Sequence, residues 1–170
     1  MTRDATKRRH YNAEDRAPWS DCPNAARELT HAEAHELLRT LCGQPTVRAQ
    51  FPDRSARVGA LLRATKARRQ SDMARASWHE VVIESCHDTL PAWVWVHELV
   101  HLLIAKAEHD RVFRHAQLRL TRAAFGRKAE RLLREAFRAA NLKYRPYRSL
   151  SPERAAKARG NLRTAAKEAP

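Results

Sequence analysis

The sequence predicts a helix-rich α+β domain, with a small antiparallel sheet packed beside one central helix. Three observations carry this. The 170-residue chain holds only four glycines while alanine, arginine and leucine are plentiful, a composition that favours helix. Two short stretches, residues 45–51 and 77–85, concentrate β-branched and aromatic residues. The run "AWVWVHELVHLLIA" (92–105) is too apolar for a surface helix and reads as a buried one. The length fits one domain, residues 1–142, followed by a basic linker and tail, 143–170.

Residues 1–16 are polar and read as a helix or a frayed end. A clearer helix starts near Thr30, where Thr30 and Glu33 have capping-box spacing and Leu37, Leu38 and Leu41 form an apolar stripe. Gly43 ends it. "PTVRAQF" (45–51) reads as a short strand and "ARVGALLRATKARRQ" (56–70) as a helix. "SWHEVVIES" (77–85) reads as the best strand in the chain, and "CHDTLP" turns the chain after it. Pro91 suits the first turn of a helix that runs to about Ala105. A further helix covers about 110–124, Gly126 breaks it, and 127–142 forms an amphipathic helix with Leu132, Leu133, Ala136, Phe137 and Ala140 on one side. Residues 153 onward carry mostly alanine and charge, with little to bury.

His97-Glu98-Leu99-Val100-His101 is the pattern H-E-x-x-H. On a helix, positions i and i+4 project from one face, so both imidazoles can bind one Zn²⁺. The glutamate beside the first histidine is then placed to take a proton from the attacking water. Unpaired charge inside so apolar a helix is costly, and a metal removes that cost. A catalytic zinc needs three protein ligands and an open position. On an unbroken helix His109 would lie about 12 Å beyond His101, at about 1.5 Å per residue. The helix must therefore end near residues 105–107 and fold back, with Asp110 as the N-cap of the next helix and His109 just before it. Glu108, Asp110, His115, Glu130 and Glu135 are the rival third ligands.

Other histidines carry weaker patterns. "HAEAH" (31–35) has the i, i+4 spacing, but Glu33 is spoken for by the cap. His79 and Glu80 would face opposite sides of a strand, and Cys86 and His87 qualify by residue type alone. Cys22, Cys42 and Cys86 form neither a disulfide framework nor a CxxC knuckle and read as reduced thiols. The N-terminus has no apolar leader and no run reaches membrane-spanning length, so the expectation is a cytoplasmic protein with no membrane partner.

"HELVHLLIAKAEHDRVFRHAQL" (97–118) resembles the H-E-L-x-H…H-[GD]-x-x-F signature of SprT-like and WLM-type metallopeptidases. More loosely, "RDATKRRHYNAED" and "ATKARRQSDMARASW…LP" resemble an uncharacterised metallohydrolase family of actinobacteria and their phages. The resemblance implies a zincin-like fold, with His97, His101 and His109 as zinc ligands and Glu98 as general base. The sequence departs from that pattern in two places. "AKAE" stands where a Gly/Pro-containing bend is common, and no CxxC zinc ribbon follows. Residue 104 is Ile, so the metzincin form is absent. The expected function is zinc-dependent hydrolysis of a peptide bond in a protein or peptide substrate. The alternatives are a nucleic-acid-binding protein with a structural metal site and a hydrolase of non-peptide amides or esters. The oxyanion partner stays open among Tyr144, Tyr147 and arginines of the last helices.

Charge is segregated. Residues 1–110 carry 16 basic against 15 acidic side chains and residues 111–170 carry 17 against 4, so +13 of the net +14 lies downstream of the motif. Such a split suggests sequence-nonspecific nucleic-acid binding through 111–170, with Arg127, Arg131, Arg134 and Arg138 along one helical face. A solubilising surface is the plainer alternative.

Overall fold

The computed structural model describes residues 3–67, 73–77, 79–105 and 108–144. It is a mixed α+β fold in which helices dominate. Helix α1 (Arg3–Asp15) is followed by a 3-10 turn (Trp19–Asp21), helix α2 (Pro23–Ala26) and strand β1 (Glu28–Thr30). Helix α3 (His31–Gly43) begins with the expected capping box: Glu33 N donates to Thr30 Oγ1 at 3.3 Å and Thr30 N to Glu33 Oε2 at 3.0 Å. Helices α4 (Pro45–Gln50) and α5 (Ser55–Leu61) lead to strands β2 (Arg63–Lys66), β3 (Arg75–Ser77), β4 (Val82–Ser85) and β5 (Thr89–Pro91). Helix α6 (Ala92–Ile104) and the long α7 (Arg111–Ala139) complete the order.

Three expectations about the strands are corrected. Residues 45–50 form a helix, because Pro45 presets the first helical turn and the buried Val47 and Phe51 lie four residues apart on its inner face. The expected helix over 56–70 stops at Leu61: Leu62 turns the chain at φ −55°, ψ 134°, and residues 63–66 are captured as a strand beside β4. The expected single strand 77–85 is two strands, with a turn at His79–Glu80 and Val81 at φ 55°. A β-branched residue at that φ is strained. Its burial at 2% exposure against the core holds it there.

The sheets are small and of two kinds. β1 pairs with β5 antiparallel, with Leu29 opposite Leu90. In the three-stranded sheet β4 is central: β2 runs parallel to it with Ala64 opposite Ile83, and β3 antiparallel with Ala76 opposite Ile83. The small antiparallel sheet expected beside the motif helix is β1–β5, and the three-stranded sheet that also packs there is mixed. Since β4 is paired on both sides, it offers no free edge to an extended peptide.

Helix α6 passes through the middle of the molecule. Every residue from Val94 to Ile104 is buried, as expected for a helix apolar on all sides. One apolar cluster joins α3, α4 and α5 to Trp95, Leu99, Leu102, Leu103 and Phe113. A second gathers Ala13, Trp19, Leu118, Leu133 and Phe137. Trp93 bridges them, stacked on Trp19 at 5.8 Å and 13°. No described helix is long and apolar enough to cross a membrane.

Helix α7 is interrupted at Gly126, whose φ of 87° and ψ of −178° lie outside helical geometry, as the expected break requires. Of the expected apolar positions beyond it, Leu132, Leu133 and Phe137 are buried. Residues 145–170, which carry most of the proposed basic tail, lie outside the described residues.

Candidate metal centre

The centre is built where α6 ends and the chain folds back. α6 stops at Ile104, and Ala105 follows in the left-handed conformation, φ 51° and ψ 48°. This conformation, usually taken by glycine at a helix end, replaces the missing Gly/Pro bend. α7 then starts at Arg111. Asp110 caps it, its Oδ1 accepting from Val112 N at 2.8 Å and from Phe113 N at 2.9 Å. His109, one residue before the cap, is turned inward. The Arg114 guanidinium donates to the His109 carbonyl and, at 2.6 Å, to that of Lys143, fixing the fold-back from below.

The rings of the three expected ligands lie close together, although no one group of ligand atoms within 4.8 Å of one another contains all three. The ring centroids of His97 and His101 are 5.1 Å apart, those of His97 and His109 4.8 Å, and those of His101 and His109 4.8 Å. Three imidazoles around one tetrahedral Zn²⁺, with Zn–N of about 2.0–2.1 Å, would place their centroids about 5 Å apart. His97 Nε2 and His109 Nε2 face each other at 2.8 Å, within hydrogen-bond distance. Glu98 Oε1 lies 4.0 Å from His97 Nε2. Ligand atoms of His97, Glu98 and His101 fall within 4.8 Å of one another, and so do those of His10, His97 and His109. Phe113 floors the cluster, its ring 4.4 Å from that of His101 and 4.6 Å from that of His109.

These groups are nearly dry. Exposure is 2% for His97, 6% for Glu98, 6% for His101 and 5% for His109. His109 Nδ1 is buried without a hydrogen-bond partner. Burial first, then the neighbouring His97, His10 and His101 rings, drives the His109 pKa far below the usual imidazole value, so the ring is neutral and its nitrogens are available as ligands. A buried cluster of imidazoles with an unpartnered nitrogen is poor packing for an apolar core and a good donor set for a borderline metal. Such buried imidazoles and carboxylates could hold a metal ion, and their donor types suit zinc.

Helix α1 supplies two groups that the sequence reading missed. Glu14, wholly buried, accepts from His97 Nδ1 at 2.8 Å and from the Gln117 side-chain amide. Its other oxygen lies 3.2 Å from His10 Nε2. Burial alone would raise the Glu14 carboxyl, but the His97 and His10 imidazoles outweigh it and hold the group far below the usual carboxylate range. Burial likewise opposes charge on His97, and the Glu14 carboxylate reverses this and raises its pKa. For His10 burial wins over Glu14 and the pKa falls. Tyr11 stacks on His97 at 5.6 Å and 25° from the more exposed side. The signal available in the sequence was His10 and Glu14 at i, i+4 inside an otherwise charged segment.

The rival ligands are engaged elsewhere. Asp110 is the cap. Glu130 pairs with Arg134 and, at 3.6 Å, with Arg122, while the exposed Glu135 lies 4.0 Å from Arg131. His115, half-buried on α7, and the exposed Glu108 are not among the groups with metal-ligand geometry. In the other histidine pattern, His35 Nε2 meets the Leu62 carbonyl at 3.0 Å and His31 packs edge-on to Trp95 at 5.3 Å, both structural contacts.

Comparison with protein-family models, with curated proteins and with solved structures gives no match to this chain. The resemblance to SprT-like and WLM-type metallopeptidases therefore rests on the motif residues themselves.

Proposed function

We propose that the protein is a zinc-dependent hydrolase, a metallopeptidase in which His97, His101 and His109 hold the ion and Glu98 is the general base. The observation that carries this is the triangle of histidine rings at 4.8, 4.8 and 5.1 Å, with the Glu98 carboxylate 4.0 Å from one of its nitrogens. A bound zinc ion supplies Lewis acidity toward a carbonyl and makes water nucleophilic near neutral pH. Glu98 takes the proton of the attacking water and returns it to the leaving amine. The dry walls of Phe113 and the apolar face of α6 keep bulk water from competing for that proton.

Glu98→Gln is the decisive variant. It keeps the shape and removes the base, so hydrolysis of a casein or peptide-library substrate should fall by about 10²–10⁴-fold. Zinc content should stay at the wild-type level. Wild-type hydrolysis that survives the substitution unchanged would exclude Glu98 as the base.

The near-complete burial of the cluster favours one second reading, a closed structural metal site in a nucleic-acid-binding protein. On that reading Glu98→Gln changes no activity, because the wild type has none to lose, and the basic surface carries the function.

A further inference from the structure

Helix α1 brings little apolar surface to the fold. Of its side chains described here, three are buried: Ala13, His10 and Glu14. A helix this polar docks through what its buried polar groups find. What they find is the metal centre. Glu14 Oε1 meets His97 Nδ1 at 2.8 Å and the Gln117 side-chain amide, while Oε2 lies 3.2 Å from His10 Nε2 without a hydrogen bond to it. Gln117 steadies the oxygen that meets His97.

We propose that Glu14 is the positioning residue of the metal centre, fixing His97 with its proton on Nδ1 and Nε2 turned to the ion, so that metal binding and docking of helix α1 form one linked equilibrium. The proposal rests on the metal reading above and deepens it. A carboxylate behind a ligating imidazole sets its tautomer, orients its ring and raises its basicity. A cation on Nε2 in turn makes Nδ1–H a stronger donor to the carboxylate. The two effects are reciprocal: whatever metal gains from docked α1, docked α1 gains from metal. Because Glu14 lies 83 residues before His97, the N-terminal helix is a working part of the site rather than a leading appendage.

The experiment is a Co²⁺ titration of the full chain followed by visible absorption. Glu14→Ala should weaken Co²⁺ binding by about 10–100-fold, the usual effect of losing such a partner, and alter the Co²⁺ spectrum. Glu14→Gln keeps an oxygen acceptor for Nδ1–H without the charge and should recover most of the affinity. If the alanine variant does not fold, proteolysis of the wild type carries the test: no protection of helix α1 by bound Co²⁺ overturns the linkage. Arg9→Ala removes a different tether of α1, the guanidinium contact to the Ala140 carbonyl, and should leave the spectrum unchanged and cost much less affinity than Glu14→Ala. In the wild type, Co²⁺ should slow tryptic cleavage after the exposed Arg8 and Arg16, and Glu14→Ala should lose that protection. Wild-type affinity in Glu14→Ala overturns the proposal and leaves the metal reading standing. An Arg9→Ala loss equal to that of Glu14→Ala overturns the positioning role, since docking alone would then account for it. Absence of Co²⁺ binding by the wild type overturns the metal reading and the proposal together.

Discussion

His109 Nε2 lies 2.8 Å from His97 Nε2, across a fold-back that no glycine or proline marks. A metal ion would take a lone pair from each of these nitrogens. Protein purified without chelator should therefore contain about one zinc per chain, the single-site expectation. His109→Ala should weaken zinc binding by at least about 100-fold, beyond the 10–100-fold typical of losing an outer partner. Stoichiometric zinc retained in His109→Ala by atomic absorption would return the third ligand to an open question.

Metal-free protein should lose stability as pH falls from 7 to 5. Burial depresses the pKa of His10 and His109 in the folded state. The unfolded chain takes up protons near the ordinary imidazole value of about 6.5 and the folded chain does not, so their stabilisation is present above that value and lost below it. His97 is raised by Glu14 against its burial and acts with the opposite sign, adding stability at the acid end. Glu14 sits far below the carboxylate range and its contribution is intact across this window. Two depressed histidines against one raised leave a net loss. Melting temperatures in EDTA at pH 7 and pH 5 check this, and a higher value at pH 5 would contradict it.

Ala105→Gly should stabilise the fold. The left-handed φ of 51° costs an L residue about 1–2 kcal/mol, and glycine returns part of that gain as unfolded-state entropy. The net expectation is about 0.5–1 kcal/mol, read as a higher urea midpoint at constant m-value. A lower midpoint would mean that Ala105 does not sit in this conformation.

The basic region should bind nucleic acid without sequence preference. On α7, Arg127, Lys128, Arg131 and Arg138 are exposed, whereas Arg134 is drawn back to Glu130. Engagement of about six phosphates would cost on the order of 10³-fold in affinity between 50 and 200 mM salt. A chain ending at Leu142 should bind more weakly than the full chain. Binding undetectable at low salt, or unaffected by the truncation, would reduce the charge to a solubilising role.

The sequence by itself determined the capped helices of this protein and brought His97 and His101 onto one helical face. Thr30 with Glu33, Pro91, Asp110 and Gly126 are local signals, each settled by hydrogen bonds or backbone preferences within a few residues. The i, i+4 spacing of His97 and His101 fixes a shared helical face in the same way. The three-ligand requirement and the Asp110 cap then pointed to His109. Tertiary structure decided the rest. Residues 63–66 became a strand because β4 lay alongside, and 77–85 divided because the chain reversed at Val81, neither of which a local window can weigh. Glu14 reached the cluster because a polar helix found buried polar partners, His97 on α6, 83 positions away, and Gln117 on α7. Local spacing can name candidate ligands, since helix geometry places His97 and His101 on one face. The carboxylate beside His97 is chosen by packing, which acts between segments far apart in the chain.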